Sequence, residues 1–213
     1  MIFQDRRQAG VALARALRDA TDVDGAVVLA VPRGGVPVGF EVARELRLPL
    51  DVFVVRKLGV PGEAELAMGA VASGGLVYIN ESVVQAFRIH QEEIDAVVAR
   101  EKLEIARREA AYRAGRPALA VEGKTIILVD DGLATGSTMM AAVRALRPRA
   151  GRIIVAVPVA SRSACDDLER EADSVLCLET PLLFHAVGEF YRDFEPTSDA
   201  EVTSLLAKAA SND

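Results

Sequence analysis

The chain has 213 residues, of which 51% are hydrophobic and 26% charged, with a formal net charge of −6 and a pI near 5.1. That composition can bury a full core as one domain with at most a small appendage, and the acidic balance argues against a nucleic-acid surface. No apolar run approaches the roughly 18 residues of a membrane span, Asp5 stands where a signal peptide would be basic, and the only cysteines are Cys165 and Cys177. A cytoplasmic protein with reduced thiols is therefore expected.

In chain order, residues from about Arg6 to Asp19 carry an apolar stripe of Val11, Leu13, Ala14 and Leu17, the spacing of a helix that covers a sheet. Ala26 to Val31 is an aliphatic strand that ends in Pro32-Arg33-Gly34-Gly35, and a helix is predicted from about Val36 to Leu46. Ligands of α/β proteins gather at the carboxyl ends of parallel strands, so Arg33 and the two glycines are candidate contacts. A second strand is predicted over Asp51 to Arg56, putting Arg56 and Lys57 at the same edge. The Gly- and Pro-rich stretch from Leu58 to Glu65 is expected to be a long loop, the kind that is usually functional. Glu63 and Glu65 are the acids in it, and Glu65 reads as either a general base or a solvated loop acid.

Leu66 to Val71 and Leu76 to Ile79 flank Ser73-Gly74-Gly75 and read as a β-hairpin. One long helix, about Glu81 to Ala114, is predicted from a face of Phe87, Ile94, Val98, Ile105 and Tyr112, with His90 off that face. Arg152 to Ala160 and Ser174 to Leu178 are the last strands, with Ser161 at the ligand edge. Cys165 and Arg170 do not match a phosphatase loop, because their spacing is one residue short and no Gly-rich loop lies between them. Pro181 to Tyr191 is the most aromatic part of the chain, and Phe184 and Tyr191 read either as a sandwich for a flat heterocycle or as core. Ser198 followed by Glu201 is a capping box that opens a terminal helix. Strands alternating with helices make the fold a doubly wound, mostly parallel α/β sheet.

The central stretch, Ile126 to Thr138, carries the chemistry. Four large aliphatics form a buried strand, Asp130 and Asp131 close it, and Gly132 to Thr138 form a small-residue loop leading into a helix from about Ser137 to Leu146. Loop N–H groups and a helix N-terminus then face one anion. Gly136 lets backbone approach a ligand, and Thr135, Ser137 and Thr138 add hydroxyl donors, each hydrogen bond to a charged group contributing about 1.5–3 kcal/mol. The two acids would repel a phosphate, so their partners are hydroxyl groups or a hard cation such as Mg²⁺. A phosphate with a diol beside it describes a ribose 5-phosphate. No lysine makes this a Walker loop, and no G-x-G-x-x-G follows the strand.

Val129 to Thr138 resembles the 5-phosphoribosyl diphosphate (PRPP) motif of type I phosphoribosyltransferases: two apolar residues, two acids, a short spacer and Thr-Gly-x-Thr. The resemblance implies that Asp130 and Asp131 hold the ribose hydroxyls and reach metal only indirectly, while Ala134, Thr135, Gly136, Ser137 and Thr138 hold the 5′-phosphate. It also implies that Arg33, Gly34 and Gly35 form the pyrophosphate loop, in which a cis peptide often precedes the residue before the glycine pair. Lys57, with Arg56 behind it, would lie in a lid and hairpin spanning about 57–80, and a hood at about 180–195 would cover the acceptor. The implied activity is Mg²⁺-dependent transfer of 5-phosphoribosyl from PRPP to a nitrogenous acceptor, with Asp130, Asp131, Arg33 and Lys57 as the catalytic set. The implied organisation is one domain over 1–213, in a homodimer. Ala134 stands where 6-oxopurine enzymes carry an Asp, so the loop is closer to those of adenine and orotate enzymes. A PRPP- or nucleotide-sensing regulator, and a hydrolase of a phosphorylated sugar or nucleotide, remain as alternatives.

Overall fold

The computed structural model describes residues 2–211, apart from the side chains at positions 64 and 65; the Glu65 candidate therefore lies outside the described residues. Five parallel strands form the main sheet: β1 (Val27–Ala30), β2 (Leu50–Val52), β6 (Thr125–Val129), β7 (Arg152–Val159) and β8 (Ser174–Glu179). Their order is β2-β1-β6-β7-β8, so the winding reverses between β1 and β6.

The near-continuous aliphatic runs of β1, β6 and β7 follow from burial on both faces. Leu29, Leu128 and Val155 pack under α5 (Ser137–Leu146) and α6 (Arg162–Leu168). Their neighbours Val28, Ile127 and Ile154 point the other way, onto α1 (Arg6–Ala20) and α2 (Gly35–Leu46). The expected stripe on α1 holds at Leu13, Ala14 and Leu17, while Val11 is only half-buried. The doubly wound parallel α/β architecture is the one the alternation of elements predicts.

The region after β2 departs from expectation. The single strand predicted over Asp51 to Arg56 is two strands in two sheets. Val54 N–H donates to Ser73 Oγ at 2.8 Å and Ser73 N–H returns to the Val54 carbonyl at 2.9 Å, and this exchange hands the chain from one sheet to the other. The second sheet is antiparallel, formed by β3 (Val55–Val60), β4 (Glu63–Ala72) and β5 (Leu76–Ile79) in sequence order. The predicted hairpin around Ser73 to Gly75 is its β4–β5 half. The expected long loop from Leu58 to Glu65 is instead the β3–β4 hairpin, with a tight turn at Pro61-Gly62, where Gly62 takes φ 84°. Glu63 is exposed on β4.

The long helix predicted from Glu81 to Ala114 is broken. Arg88 adopts the left-handed conformation (φ 52°) and separates α3 (Glu81–Phe87) from α4 (Gln91–Arg113). Ile94, Ile105 and Tyr112 keep the predicted face in the core with α7 (Asp199–Ala210), but Phe87 beyond the break is half exposed. Ser198 caps α7 through Glu201 N–H at 3.1 Å, as its sequence pattern predicts. Cys165 on α6 and Cys177 on β8 pack with their sulfur atoms facing each other. No helix among the described residues is long and apolar enough to cross a membrane.

One buried ion pair ties α4 to the sheet. Arg113 Nε donates to both carboxylate oxygens of Asp51, at 2.9 and 3.0 Å, and Asp51 also accepts from the N–H groups of Val52 and Leu119. Removing the cation strands a buried carboxylate. Arg113→Ala is expected to destabilise the protein by about 3–5 kcal/mol, read as a shift of the urea unfolding midpoint.

Candidate active site

The switch between β1 and β6 is where a doubly wound sheet opens a crevice at its carboxyl edge. The Val31 N–H bonds to the Val129 carbonyl at 2.8 Å, closing the two strands side by side up to that edge. From β1 emerges the loop Pro32-Arg33-Gly34-Gly35, with a cis peptide between Pro32 and Arg33. From β6 emerge Asp130 and Asp131. The two segments touch. A Cβ on Gly34 would lie 2.1 Å from Asp131 Oδ2, and one on Gly35 would lie 2.7 Å from the Val129 carbonyl oxygen. The glycine pair is required here by close approach rather than by backbone angle, since Gly34 takes an ordinary helical φ of −59°.

Asp130 and Asp131 sit next to each other with little water around them. Asp131 N–H donates to Asp130 Oδ1 at 2.8 Å. Burial first, then the neighbouring Asp131 charge, pushes the Asp130 carboxyl well above the usual carboxylate range. Burial also raises Asp131, against a hydrogen bond from Arg6. Arg6, the first residue of α1, reaches across the site: its Nε donates to Asp131 Oδ2 at 2.8 Å, and only 11% of the arginine side chain and 14% of the aspartate remain exposed. The guanidinium lies 3.9 Å over the Phe194 ring and also donates to the Glu195 carbonyl. The sequence offers no local sign of this role, because the contact joins positions 125 residues apart.

The loop after the acids is held from below. Leu133 exchanges backbone hydrogen bonds with Val159 and Ser161 of the β7 end, and Ser161 Oγ donates to the Ala134 carbonyl at 2.6 Å. Ser161 thus supports the loop from the edge where the sequence placed it. Gly136 takes φ 69° at the start of α5, a conformation that favours glycine. Ala134, Thr135 and Ser137 are exposed, and Gly136 and Thr138 half-exposed, around a helix N-terminus whose first N–H groups lack intrahelical acceptors. Thr135 Oγ1 donates to Ser137 Oγ at 3.2 Å. The loop predicted as a phosphate cradle is therefore assembled as a local unit.

Two placements differ from expectation, and one open choice is decided. The sequence places Arg56 at the carboxyl end of a parallel strand, facing ligand. On β3 it turns instead to α4, where it hydrogen-bonds Glu101, and Arg100 joins the same carboxylate. Those two bonds outweigh burial and hold Glu101 below its ordinary range. Lys57 is likewise on β3 rather than at a parallel strand's end, but it is exposed and shares the strand face of Val55, which packs on the core beneath α5. The open choice is between an aromatic sandwich and core, and the packing is that of core. Tyr191 is buried between Phe3 and Phe194, with ring centroids 5.6 and 5.0 Å away, and its hydroxyl donates to the Asp131 carbonyl at 2.6 Å. Burial keeps that phenol protonated. Phe184 stacks on Phe190 at 5.6 Å. The pair does not form two faces of a slot; Tyr191 is a prop under Asp131.

Arg33 points away from the acids toward Asp199 at 3.7 Å, with about half of its side chain exposed. Among the described residues, no group of three or more His, Cys, Asp or Glu side chains could hold a metal ion. The acid pair nevertheless suits a shared Mg²⁺: a cation brought by the ligand would offset the mutual repulsion that raises Asp130, acting through hydroxyls or water.

The family model described as the phosphoribosyl transferase domain matches residues 7–195. Rv0571c of Mycobacterium tuberculosis H37Rv, a phosphoribosyl transferase by name, is 44% identical over 209 residues, covering 98% of this chain and 47% of that protein. The same figures hold for MT0597 of strain CDC 1551. The chain thus spans about half the length of the curated relatives it matches. The crystal structure of TT1426 from Thermus thermophilus superposes with a TM-score of 0.89 at 41% identity, covering 98% of this chain and 99% of that one.

Two outcomes are expected from this geometry. Gly34→Ala should destabilise by about 1–3 kcal/mol in thermal unfolding, and truncating the opposing side chain in Gly34→Ala/Asp131→Ala should recover part of that loss. Asp130→Asn should unfold at a higher temperature than the wild type at neutral pH. The folded-state pKa of Asp130 is raised, so its ionisation costs stability as pH climbs. The advantage of the variant should be small below about pH 4, where the unfolded carboxyl is protonated too, and should grow as pH rises.

Proposed function

Because the chain belongs to the phosphoribosyl transferase family, we propose that it transfers the 5-phosphoribosyl group of PRPP to a nitrogenous small-molecule acceptor, releasing pyrophosphate with the help of Mg²⁺. What carries this reading is the meeting of Asp130 and Asp131 with the Gly34-Gly35 loop at the switch point. That arrangement sets hydroxyl acceptors and backbone donors around one crevice, with the phosphate cradle of Ala134 to Thr138 beside it.

In this reading the cradle takes the 5′-phosphate, and Asp130 and Asp131 accept hydrogen bonds from the ribose hydroxyls. Held there, the two carboxylates favour the positive charge that develops on the ring as the bond at C1 breaks. Gly34 offers its N–H group to the departing pyrophosphate, while Gly35, whose own N–H is bonded to the Val31 carbonyl at 3.1 Å, keeps the loop close to the acids, and Arg33 and Lys57 supply positive charge. When bound, Mg²⁺ would neutralise part of the leaving-group charge, with Asp130 and Asp131 as the residues that would hold it through hydroxyls or water. The rest of the rate enhancement comes from fixing the reactants in line. The whole of 1–213 acts as one unit in this proposal, with the β3–β5 sheet as cover and residues 180–195 as hood, in a homodimer. Arg56 lends charge only through the network it shares with Glu101.

A second reading is favoured by one observation. Phe184 and Tyr191 are packed among other aromatic rings, so they do not clamp a flat base. Water as the acceptor needs no such clamp, and a hydrolase acting from the same pocket would then result.

Calorimetric titration with PRPP and Mg²⁺, with ribose 5-phosphate alongside, tests the proposal. Micromolar PRPP binding that requires Mg²⁺ is expected, weakened at least tenfold in Asp130→Asn/Asp131→Asn. Unchanged affinity in that variant would remove the acid pair from the site. Pyrophosphate release from PRPP with no base added would select the hydrolase, and release only with a base would select the transferase.

A further inference from the structure

Beside the Pro32–Arg33 loop lies a cavity of about 270 Å³ that the roles assigned above leave unused. Its lining includes Pro32, Arg33, Arg107, Arg108, Tyr112 and Asp199. Arg107, Arg108 and Tyr112 come from the last two turns of α4, on the side that faces the loop, and Asp199 is the first residue of α7. Three guanidinium groups and one carboxylate therefore line a single concave space that opens onto the loop assigned to pyrophosphate.

The hydrogen bonds of these groups leave donors to spare. Arg107 gives Nε and Nη2 to Glu104, and Arg108 gives Nε to the same carboxylate. Arg107 Nη1 and both Nη groups of Arg108 have no protein acceptor among the described residues. Arg33 is held only by the 3.7 Å pair with Asp199, whose other partner is the Tyr112 hydroxyl at 3.0 Å. Like charges gathered in one pocket repel unless an anion joins them. Guanidinium groups with free forks match phosphate geometry better than any other side chain.

The pocket also fills a deficit elsewhere. The β3–β4 hairpin carries Glu63 at its turn, and Arg56 is spent on Glu101, so the cover sheet offers the leaving group little beyond Lys57.

We propose that Arg107 and Arg108 extend the Arg33 loop into a diphosphate site, where they take the outer phosphate while Arg33 exchanges Asp199 for ligand. This rests on the transferase reading for the identity of the diphosphate, but not for the existence of an anion site. It makes the two α4 arginines determinants of affinity for the leaving group, distinct from the residues that hold the ribose.

The test is titration of inorganic pyrophosphate with Mg²⁺ into the wild type, Arg107→Gln/Arg108→Gln and Asp199→Asn, with ribose 5-phosphate as the parallel ligand. The double variant should lose tenfold or more in pyrophosphate affinity and keep its ribose 5-phosphate affinity. Asp199→Asn frees Arg33 and should tighten pyrophosphate severalfold, a gain that misfolding cannot produce. Unchanged pyrophosphate binding in the double variant overturns the proposal, as does an equal loss for both ligands or a weakening in Asp199→Asn. If pyrophosphate binds with the expected pattern while PRPP does not bind, the anion site stands and the transferase reading falls. If PRPP binds and the double variant behaves as wild type toward pyrophosphate, the reverse holds.

Discussion

The ion pair between Arg6 and Asp131, nearly closed to solvent, lets two carboxylates stand side by side at the end of a buried strand. Without a cation there, Asp130 and Asp131 would face each other in a space that disfavours either charge. The consequences spread outward from that pair. The Gly34 backbone must pass within contact distance of the Asp131 carboxylate, so a side chain at that position would push against the acid. The Tyr191 hydroxyl bonds the Asp131 carbonyl, so the hood is built around the backbone of the same residue. The helix that carries Arg6 is fixed over the sheet by Leu13, Ala14 and Leu17, which makes a covering helix part of the site as well.

The hood itself is an extension of that constraint. Phe3 lies against one side of the Tyr191 ring and Phe194 against the other, and Arg6 covers Phe194. Backbone hydrogen bonds from Phe3 to Phe190 and from Arg192 to Phe3 tie the N-terminal segment to the hood. The aromatic residues concentrated here pack on one another and, through the Tyr191 hydroxyl, support the backbone of Asp131. Phe184 and Val187 pack at the margin of this cluster, and Val187 already crowds Gly132 of the central loop.

What could be read from the sequence was whatever is local. The strand, acid pair, glycine and hydroxyl pattern from Ile126 to Thr138 is legible from its own residue types and folds with the predicted boundaries, although Arg6, Tyr191 and Ser161 brace it from elsewhere in the chain. The aliphatic runs of β1 and β7 were legible for the same reason. The misplaced elements are those decided by tertiary contacts. Residues 51 to 56 look like one strand because both halves are apolar, yet the exchange between Val54 and Ser73 divides them between two sheets. The heptad-like face from Phe87 to Tyr112 runs through Arg88 without interruption in sequence, although the backbone turns left-handed there. Arg6 was invisible for a related reason: nothing near it in sequence distinguishes it from the other arginines of its helix. Tyr191 stands out in the sequence for its ring, whereas its hydroxyl is what the structure uses.

The Arg33–Asp199 contact has a bearing on the solution behaviour of the site. Both side chains are more than half exposed and their charged atoms are 3.7 Å apart, a pair of little intrinsic strength. At physiological ionic strength, with a Debye length of about 8 Å, dissolved electrolyte competes with Asp199 for the guanidinium. The loop arginine is therefore tethered by an attachment that the medium itself tunes. Added salt loosens that tether. The buried Arg6–Asp131 pair is sheltered from the same electrolyte. One edge of the sheet thus carries two arginine–aspartate contacts, one that salt weakens and one that salt barely reaches.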